Sequence, residues 1–252
     1  MLDCVRREAE IGRMINVGCG EGDVDREFCK YSAHLVACDL SEEDIAQARG
    51  FNMGVAGIAH LVANAQELPF DDESFDVACC IEVIEHVADP RACLRELARV
   101  VRAGGAIILT CPSARFPLAY DPLNWMLSRV GKHASVGAFG YGHSWLVREE
   151  DLTNWACEAG LGLVESVRLS KTLVSLFEAY WPGLVQRIVK VNAKNRGAPS
   201  KKRARATAVR PTHGKPPFLP IVDALIDADH RLFGPSQASI GLGFLFKKGH
   251  RD

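Results

Sequence analysis

The stretch INVGCGEG, residues 15–22, joins a short apolar run to a glycine-rich turn. Glycines at Gly18, Gly20 and Gly22 let the backbone turn sharply and approach a ligand closely. The dinucleotide pattern G-x-G-x-x-G would need a third glycine at position 23, but Asp23 stands there, and no G-K-S/T sequence follows. The loop therefore favours neither a nicotinamide or flavin oxidoreductase nor a P-loop ATPase.

A carboxylate stands at the end of the next apolar run. Asp39 lies within LVACDL, residues 35–40, about twenty residues past the glycines. A carboxylate in that position can accept hydrogen bonds from the ribose hydroxyls of a bound nucleoside. The loop and Asp39 together predict a nucleoside site at the carboxyl ends of two neighbouring strands.

Short apolar runs alternate with helical patterns over the first two thirds of the chain. Buried strands separated by helices indicate an α/β fold with a mostly parallel sheet covered by helices on both faces. Seven strands are predicted, at 14–18, 35–40, 60–65, 76–81, 106–111, 161–169 and 240–248. Helices are predicted over 22–31, 41–49 after an N-cap at Ser41, 90–102 from Pro90 to a stop at Gly104-Gly105, and 147–160.

A helical insertion is predicted before the last strand. Residues 171–236 contain two amphipathic segments around a basic linker at about 192–216, whereas 1–170 and 237–252 would form the main domain. We expect the insertion to be an acceptor-binding lid or a surface that contacts anionic lipid. The alternatives are helices that simply pack on the sheet, or an RNA-binding arm at KKRAR, residues 201–205, which lacks interleaved aromatic side chains.

The composition is that of an ordinary globular protein, with a net charge of −1 over 252 residues. This charge gives no sign of a nucleic-acid-binding protein as a whole. The nine cysteines include no C-x-x-C pair, which indicates buried free thiols in a reducing compartment. We predict no signal peptide and no membrane-spanning helix, hence a cytoplasmic protein with a peripheral membrane contact through 171–236.

The run from about 13 to 113 resembles the class I S-adenosylmethionine-dependent methyltransferases, in particular the quinone-biosynthesis methyltransferase-like group, methyltransferase type 11. The matching stretches are INVGCGEG, VACDLS, ANAQELPFDDESFDVACCIEVIEHVADP and ELARVVRAGGAIILTCPS, and IGLGFLFKK is similar to the closing antiparallel strand of the family. The resemblance implies a Rossmann-like fold and S-adenosyl-L-methionine as cofactor. It also implies methyl transfer to a small-molecule or lipid-like acceptor, with O-methylation preferred.

The resemblance also implies a set of cofactor-binding residues. Those near the methionine part, the ribose, the adenine and the sulfonium would be Gly18, Cys19, Gly20, Gly22, Asp39, Leu40, Asn64, Ala65, Cys80, Ile81 and Glu82. Asn16 and Asn64 stand where the family usually has aspartate. These two replacements, with the short segment before the glycine loop, favour one alternative, a catalytically silent homologue.

Methyl transfer is an in-line displacement that needs a general base only if the acceptor starts protonated. The candidate bases are His143, within GYGHSW, and His86, within EVIEHV. Glu82, Glu85 and His86 could alternatively ligate a divalent cation, although we expect no metal site.

Overall fold

The computed structural model describes residues 1–2, 5, 10–113, 126, 129–131, 147–169, 224, 226–229, 231–232, 239 and 241–249. The chain divides into two compact units. The first comprises Met1–Ala114, Ser144–Leu169 and Gly241–Asp252, and the second comprises Arg115–His143 and Ser170–Ile240. The domain limits at 171–236 stay a prediction.

The first unit alternates strands and helices. In chain order its elements are β1 (Ile11–Val17), α1 (Asp25–Phe28), β2 (Ser32–Asp39), α2 (Glu42–Phe51), β3 (Ile58–Val62), β4 (Phe75–Ile81), α3 (Pro90–Val100), β5 (Val101–Pro112), α4 (Glu149–Glu158), β6 (Leu161–Arg168) and β7 (Gly241–Lys248). The seven strands form one sheet in the order β3-β2-β1-β4-β5-β7-β6. Only β7 runs antiparallel to its neighbours, so the predicted seven-stranded, mostly parallel sheet is confirmed.

The sheet buries side chains on both faces, as a parallel sheet covered by helices must. Met14 and Ile15 are adjacent on β1 and point to opposite faces, yet both are 0% exposed. Ile15 belongs to the core shared with α3 and α4, whereas Met14 belongs to the core on the other face, against which Phe28 of α1 packs. The apolar runs thus mark strands buried from both sides.

Two predicted helix boundaries are wrong. The segment predicted as a helix over 22–31 forms only the single turn Asp25–Phe28. The helix that begins at Pro90 ends at Val100, not at Gly104-Gly105, because β5 starts directly at Val101. A Cβ atom on Gly105 would lie 2.6 Å from the backbone oxygen of Asp76. This glycine therefore permits the close approach of β5 to β4 and does not terminate a helix.

The second unit leaves and rejoins the first at adjacent backbone positions. Ser113 forms a parallel bridge with Val147 around one departure. Around the other, the amide of Leu169 donates to the oxygen of Gly241 over 2.9 Å. Among the described residues, no helix is both long and apolar enough to cross a membrane.

Candidate functional site

The glycine loop lies at the carboxyl end of β1, between two neighbouring strands. Val17 is paired with Cys38 of β2 and with Cys80 of β4. The amides of Gly18 and Cys19 both donate to the oxygen of Cys38, over 2.7 and 2.9 Å. These bonds fix the start of the loop against the end of β2.

The loop glycines have left-handed backbone conformations but different surroundings. Gly18 has φ 75°, and a Cβ atom there would lie 2.2 Å from a methyl carbon of Val83. Gly20 has φ 53°, and a Cβ atom there would meet no atom of the described residues within 4 Å. The backbone at Gly20 is therefore open to a ligand, whereas Gly18 is needed for packing.

Asp39 is held in one orientation by two backbone amides. Its Oδ2 accepts from the amide of Gly20 over 3.0 Å, and its Oδ1 accepts from the amide of Ser41 over 2.9 Å. Each carboxylate oxygen keeps a further lone pair. The next residue, Leu40, is 70% exposed. A fixed carboxylate beside an exposed apolar side chain suits a ligand that joins a diol to a flat ring.

The residues predicted at the adenine edge lie beside Asp39. The amide of Ala63 donates to the backbone oxygen of Asp39 over 2.9 Å. The side-chain oxygen of Asn64 accepts from the amide of Gln66 over 3.0 Å, and this bond orients its amide group. Ala65 packs against the core. The structure thus brings the predicted glycine, ribose and adenine positions to one edge of the sheet.

Two cysteines of the predicted set point into the core. Cys80 is 0% exposed, and a hydrogen bond with Cys93 together with burial raises the pKa of its thiol well above the usual value. Cys19 is also buried, and burial raises the pKa of its thiol. Only the backbone of these two residues can therefore face a ligand.

Glu82 follows Ile81 at the end of β4 and has an unusual backbone conformation. Its φ is 55°, which is uncommon for a residue with a side chain. Its amide donates to both the backbone and hydroxyl oxygens of Thr110 on β5, each over 3.2 Å. The Thr110 hydroxyl in turn donates to Oε1 of Glu82 over 2.7 Å. These contacts fix an exposed carboxylate at the same edge of the sheet.

Glu85 is a buried carboxyl group three residues further on. Its side chain is 0% exposed, and neither oxygen has a hydrogen-bond partner among the described residues. Burial, followed by the charge of Glu82, raises the pKa of Glu85 to about 8. Nε2 of the half-exposed His86 lies 3.9 Å from Oε1 of Glu85. Within the described ranges, no group of three or more His, Cys, Asp or Glu side chains is placed to hold a metal ion.

A buried polar network beneath the glycine loop was missed by sequence reasoning. The amide of Asn16 donates to Oδ1 of Asp25 over 2.8 Å, and Nε2 of His60 lies 2.8 Å from Oδ2 of Asp25. Asn16 is 1% exposed and Asp25 is 0% exposed. A Cβ atom on Gly22 would lie 2.8 Å from Oδ2 of Asp25, so the network directly underlies the loop.

This network suits an amide at position 16 better than a carboxylate. An aspartate at position 16 would face the buried carboxylate of Asp25, and like charges in a buried site are costly. The amide instead satisfies one oxygen of Asp25. The sequence feature that could have indicated this network is Asn16, an amide side chain inside an otherwise apolar strand.

Some predicted residues lie outside the described residues. These are His143, the basic linker at 192–216 and most of 171–236. Their roles as base, lid or membrane contact stay predictions.

Comparisons with known proteins agree with this geometry. A family model described as Methyltransferase domain matches residues 15–109. The ubiquinone biosynthesis O-methyltransferase of Hahella chejuensis is 29% identical over 159 residues, which cover 61% of this chain and 64% of that protein. The demethylmenaquinone methyltransferase of Clavibacter sepedonicus is 29% identical over 181 residues, which cover 68% of this chain and 74% of that protein. The chain thus spans less than two thirds of the length of the Hahella relative.

The fold is also similar to that of solved structures. Phosphoethanolamine N-methyltransferase 2 of Haemonchus contortus, in complex with S-adenosyl-L-methionine, superimposes with a TM-score of 0.60 at 16% identity, covering 99% of this chain and 52% of that one. The likeness shows a common fold. The family model covers the glycine loop, Asp39 and the first five strands, so residues 15–109 match a methyltransferase domain on a fold shared with this S-adenosyl-L-methionine-bound structure.

Proposed function

We propose that this chain binds S-adenosyl-L-methionine at the carboxyl ends of β1, β2 and β4 and transfers its methyl group to a small-molecule or lipid-like acceptor. One observation carries the proposal. The carboxylate of Asp39 is fixed by the amides of Gly20 and Ser41, directly beside the open face of the glycine loop. That arrangement can bind the ribose diol of a nucleoside while another part of the same ligand passes close to the backbone of the glycine loop.

The described residues fit this cofactor. Asp39 would accept hydrogen bonds from the ribose hydroxyls, and the exposed Leu40 would cover one face of the adenine. The open backbone at Gly20 would admit the methionine part. When bound, the cofactor supplies an activated methyl group on a sulfonium. The chain then contributes binding, orientation and exclusion of water.

An oxygen acceptor is supported by the name of one relative. The Hahella protein is named a ubiquinone biosynthesis O-methyltransferase and the Clavibacter protein a demethylmenaquinone methyltransferase. Both names refer to quinones, which are lipid-like molecules. The basic and amphipathic pattern of 171–236 also favours an acceptor at a membrane surface. We therefore propose a cytoplasmic enzyme with a peripheral membrane contact.

Cofactor binding is tested by isothermal titration with S-adenosylhomocysteine. We expect Asp39→Ala to weaken binding tenfold or more, about 1.4 kcal/mol or more, because the ribose loses its acceptor. Asp71→Ala removes a carboxylate from an exposed turn and is the matched control, so it should bind like the wild type. Correctly folded wild-type protein that does not bind would contradict the proposal and favour the silent homologue.

The membrane contact is tested by co-sedimentation with liposomes that contain anionic lipid. A variant in which the basic residues of 201–205 are neutralised should bind less than the wild type. Equal binding would rule out an electrostatic anchor. If the protein instead binds RNA, and this binding weakens as the salt concentration rises, the result would favour an RNA methyltransferase.

A further inference from the structure

The last glycine of the glycine loop is held by buried polar side chains. The side-chain amide of Asn52, at the end of α2, donates to the backbone oxygen of Gly22 over 2.8 Å. The carboxylate of Asp25, on α1, lies so close that a Cβ atom on Gly22 would be 2.8 Å from its Oδ2. Asn52 is 4% exposed and Asp25 is 0% exposed. The position of Gly22 therefore depends on where the carboxylate of Asp25 lies.

Each oxygen of this carboxylate has a partner on a strand of the sheet. Oδ1 accepts from the side-chain amide of Asn16 on β1 over 2.8 Å, and Oδ2 lies 2.8 Å from Nε2 of His60 on β3. The side chain of His60 is only 5% exposed. Because a carboxylate can only accept hydrogen bonds, Nε2 of His60 must carry the proton of this contact. His60 is thus a donor that, together with Asn16, fixes the orientation of the carboxylate.

His60 is also the only basic side chain of the described residues that lies within 4 Å of the carboxylate of Asp25. The other titratable groups that face this carboxylate, within the described part of the chain, are the thiols of Cys19, Cys29 and Cys38. Burial, and to a smaller extent the charge of Asp25, raises the pKa of each thiol, so all three stay neutral. An ionised carboxyl group in a buried site is costly unless it is paired and hydrogen-bonded. Without His60, the carboxylate would therefore have to move or take up another partner.

A movement of Gly22 would reach the part of the loop that is open to a ligand. The amide of Gly22 donates to the backbone oxygen of Cys19 over 3.0 Å, which closes a turn around Gly20. The amide of Gly20 in turn donates to Oδ2 of Asp39 over 3.0 Å. Asp39 keeps a second anchor outside this turn, since its Oδ1 accepts from the amide of Ser41. The turn and the carboxylate of Asp39 therefore have separate anchors.

We propose that His60 is a positioning residue for the cofactor. By donating to Asp25, it fixes the carboxylate beneath Gly22 and so keeps the turn from Cys19 to Gly22 in the shape over which the methionine part of the cofactor passes. The buried imidazole acts through Asp25 and does not itself meet the ligand. This inference rests on the proposed function and deepens it, because it separates the residue that binds the ribose, Asp39, from the residues that shape the loop.

Two ligands that share the nucleoside test this assignment by isothermal titration. S-adenosylhomocysteine carries the amino-acid part, whereas 5′-methylthioadenosine has only a methyl group on its sulfur. His60→Leu should weaken the binding of S-adenosylhomocysteine at least about tenfold and that of 5′-methylthioadenosine less than about threefold. A general loss of structure would weaken both ligands alike. His34→Leu makes the same chemical change at an exposed position of β2 and is the matched control, so it should bind both ligands like the wild type.

Two further variants separate positioning from folding. His60→Gln places an amide nitrogen close to the position of Nε2, so it can still donate to Asp25 and should bind S-adenosylhomocysteine within about threefold of the wild type. His60→Asn keeps a polar group but is too short to reach Asp25. It should show the same selective loss as His60→Leu, and it replaces that variant if the leucine protein does not fold. Thermal unfolding without ligand shows which variants are folded.

The hydrogen bond itself can be observed without any ligand. In protein labelled with ¹⁵N-histidine, NMR should show that Nε2 of His60 carries a proton, and this proton should exchange slowly with water because the side chain is buried. The signal is assigned as the one that His60→Gln removes. Asp25→Ala should make the same proton exchange faster, because its acceptor is gone.

Several results would overturn the inference while leaving cofactor binding intact. One is a folded His60→Leu or His60→Asn protein that binds S-adenosylhomocysteine like the wild type, and another is an equal loss of affinity for both ligands. A third is a His60→Gln protein that binds no better than His60→Leu. An Nε2 atom without a proton, or a wild type that binds S-adenosylhomocysteine but not 5′-methylthioadenosine, would also contradict it. A wild type that does not bind S-adenosylhomocysteine would instead contradict the proposed function.

Discussion

Replacement of Asn16 by aspartate would restore the usual residue of the family and yet should destabilise this protein. The amide of Asn16 donates to Oδ1 of Asp25 over 2.8 Å at a site where both residues are at most 1% exposed. The variant Asn16→Asp would put a second carboxylate in place of that donor. The two buried carboxyl groups would then repel each other unless a proton were taken up at the site.

The magnitude follows from two independent routes. Two charges about 4 Å apart repel by about 4 kcal/mol at an effective dielectric constant of about 20. Protonating one carboxyl at pH 7, about three pH units above its ordinary pKa, also costs about 4 kcal/mol. We therefore expect a loss of about 4 kcal/mol at pH 7, a large part of the roughly 5–15 kcal/mol by which domains are stable.

Urea unfolding at several pH values measures this loss. The new pair binds a proton more tightly in the folded state, so stability should recover by up to about 1.4 kcal/mol for each pH unit as pH falls towards 5. The double variant Asn16→Asp/Asp25→Asn restores a carboxylate–amide pair in reverse. Its coupling energy should be at least about 2 kcal/mol in favour of the double variant.

A matched control is available at the other asparagine that replaces aspartate. Asn64 is partly exposed, and its side-chain oxygen accepts from the amide of Gln66, which a carboxylate can also do. Asn64→Asp should change stability by less than about 0.5 kcal/mol, as surface substitutions usually do. If Asn16→Asp were equally harmless, or if the double variant were no better than the sum of its parts, the buried network would be refuted.

Four further outcomes can be checked directly. Gly22→Ala should cost about 2–3 kcal/mol in urea, because Gly22 has φ 74° and an added Cβ would lie within 2.8 Å of Asp25. Gly20→Ala should cost about 1 kcal/mol and yet weaken the binding of S-adenosylhomocysteine more than tenfold, because the added methyl group meets no described residue but would meet a ligand. The pKa of Glu85 is raised from 4.5 to about 8 in the folded state, so its contribution to stability is fully present below pH 4.5 and is lost as pH rises from 4.5 to 8, and Glu85→Gln should be the more stable protein at pH 8.5. Iodoacetamide should label Cys157 first among the described cysteines, since it alone is exposed, and equally fast labelling after Cys157→Ser would contradict this.

The strands could be predicted because their signal is local. A strand buried on both faces needs an unbroken apolar run, and each predicted run overlaps an observed strand. The boundaries of the helices and strands were harder to predict because a glycine can either end a helix or lie inside a strand. Gly104-Gly105 indicated a helix stop, whereas Gly105 lies inside β5 and makes room for the backbone of Asp76. Only the packed neighbour strand distinguishes these two roles.

The candidate site likewise contains residues that could be predicted from the sequence and residues that could not. The positions of Gly20 and Asp39 could be predicted because Gly20 lies in the turn that follows β1 and Asp39 is the last residue of β2, and both strands are recognisable in the sequence. The contact of Asp25 with His60 joins residues 35 positions apart, and their side chains meet only after the sheet has formed. The burial of Glu85 was hidden for a similar reason. Its sequence neighbours Glu82 and His86 are exposed, and nothing local shows that Glu85 turns inward.

The adjacent ends of the two departures from the sheet have a consequence for how such a protein can diversify. Ser113 forms a β-bridge with Val147, and Leu169 is joined by a hydrogen bond to Gly241. At each place where the chain leaves the first unit, the residues before and after the excursion are therefore paired through their backbones. A loop whose ends already meet costs only about 0.6 kcal/mol for each doubling of its length. The length of chain between these positions can thus change while β5, β6 and β7 keep their register, because the pairings of Ser113 with Val147 and of Leu169 with Gly241 close the backbone at each departure.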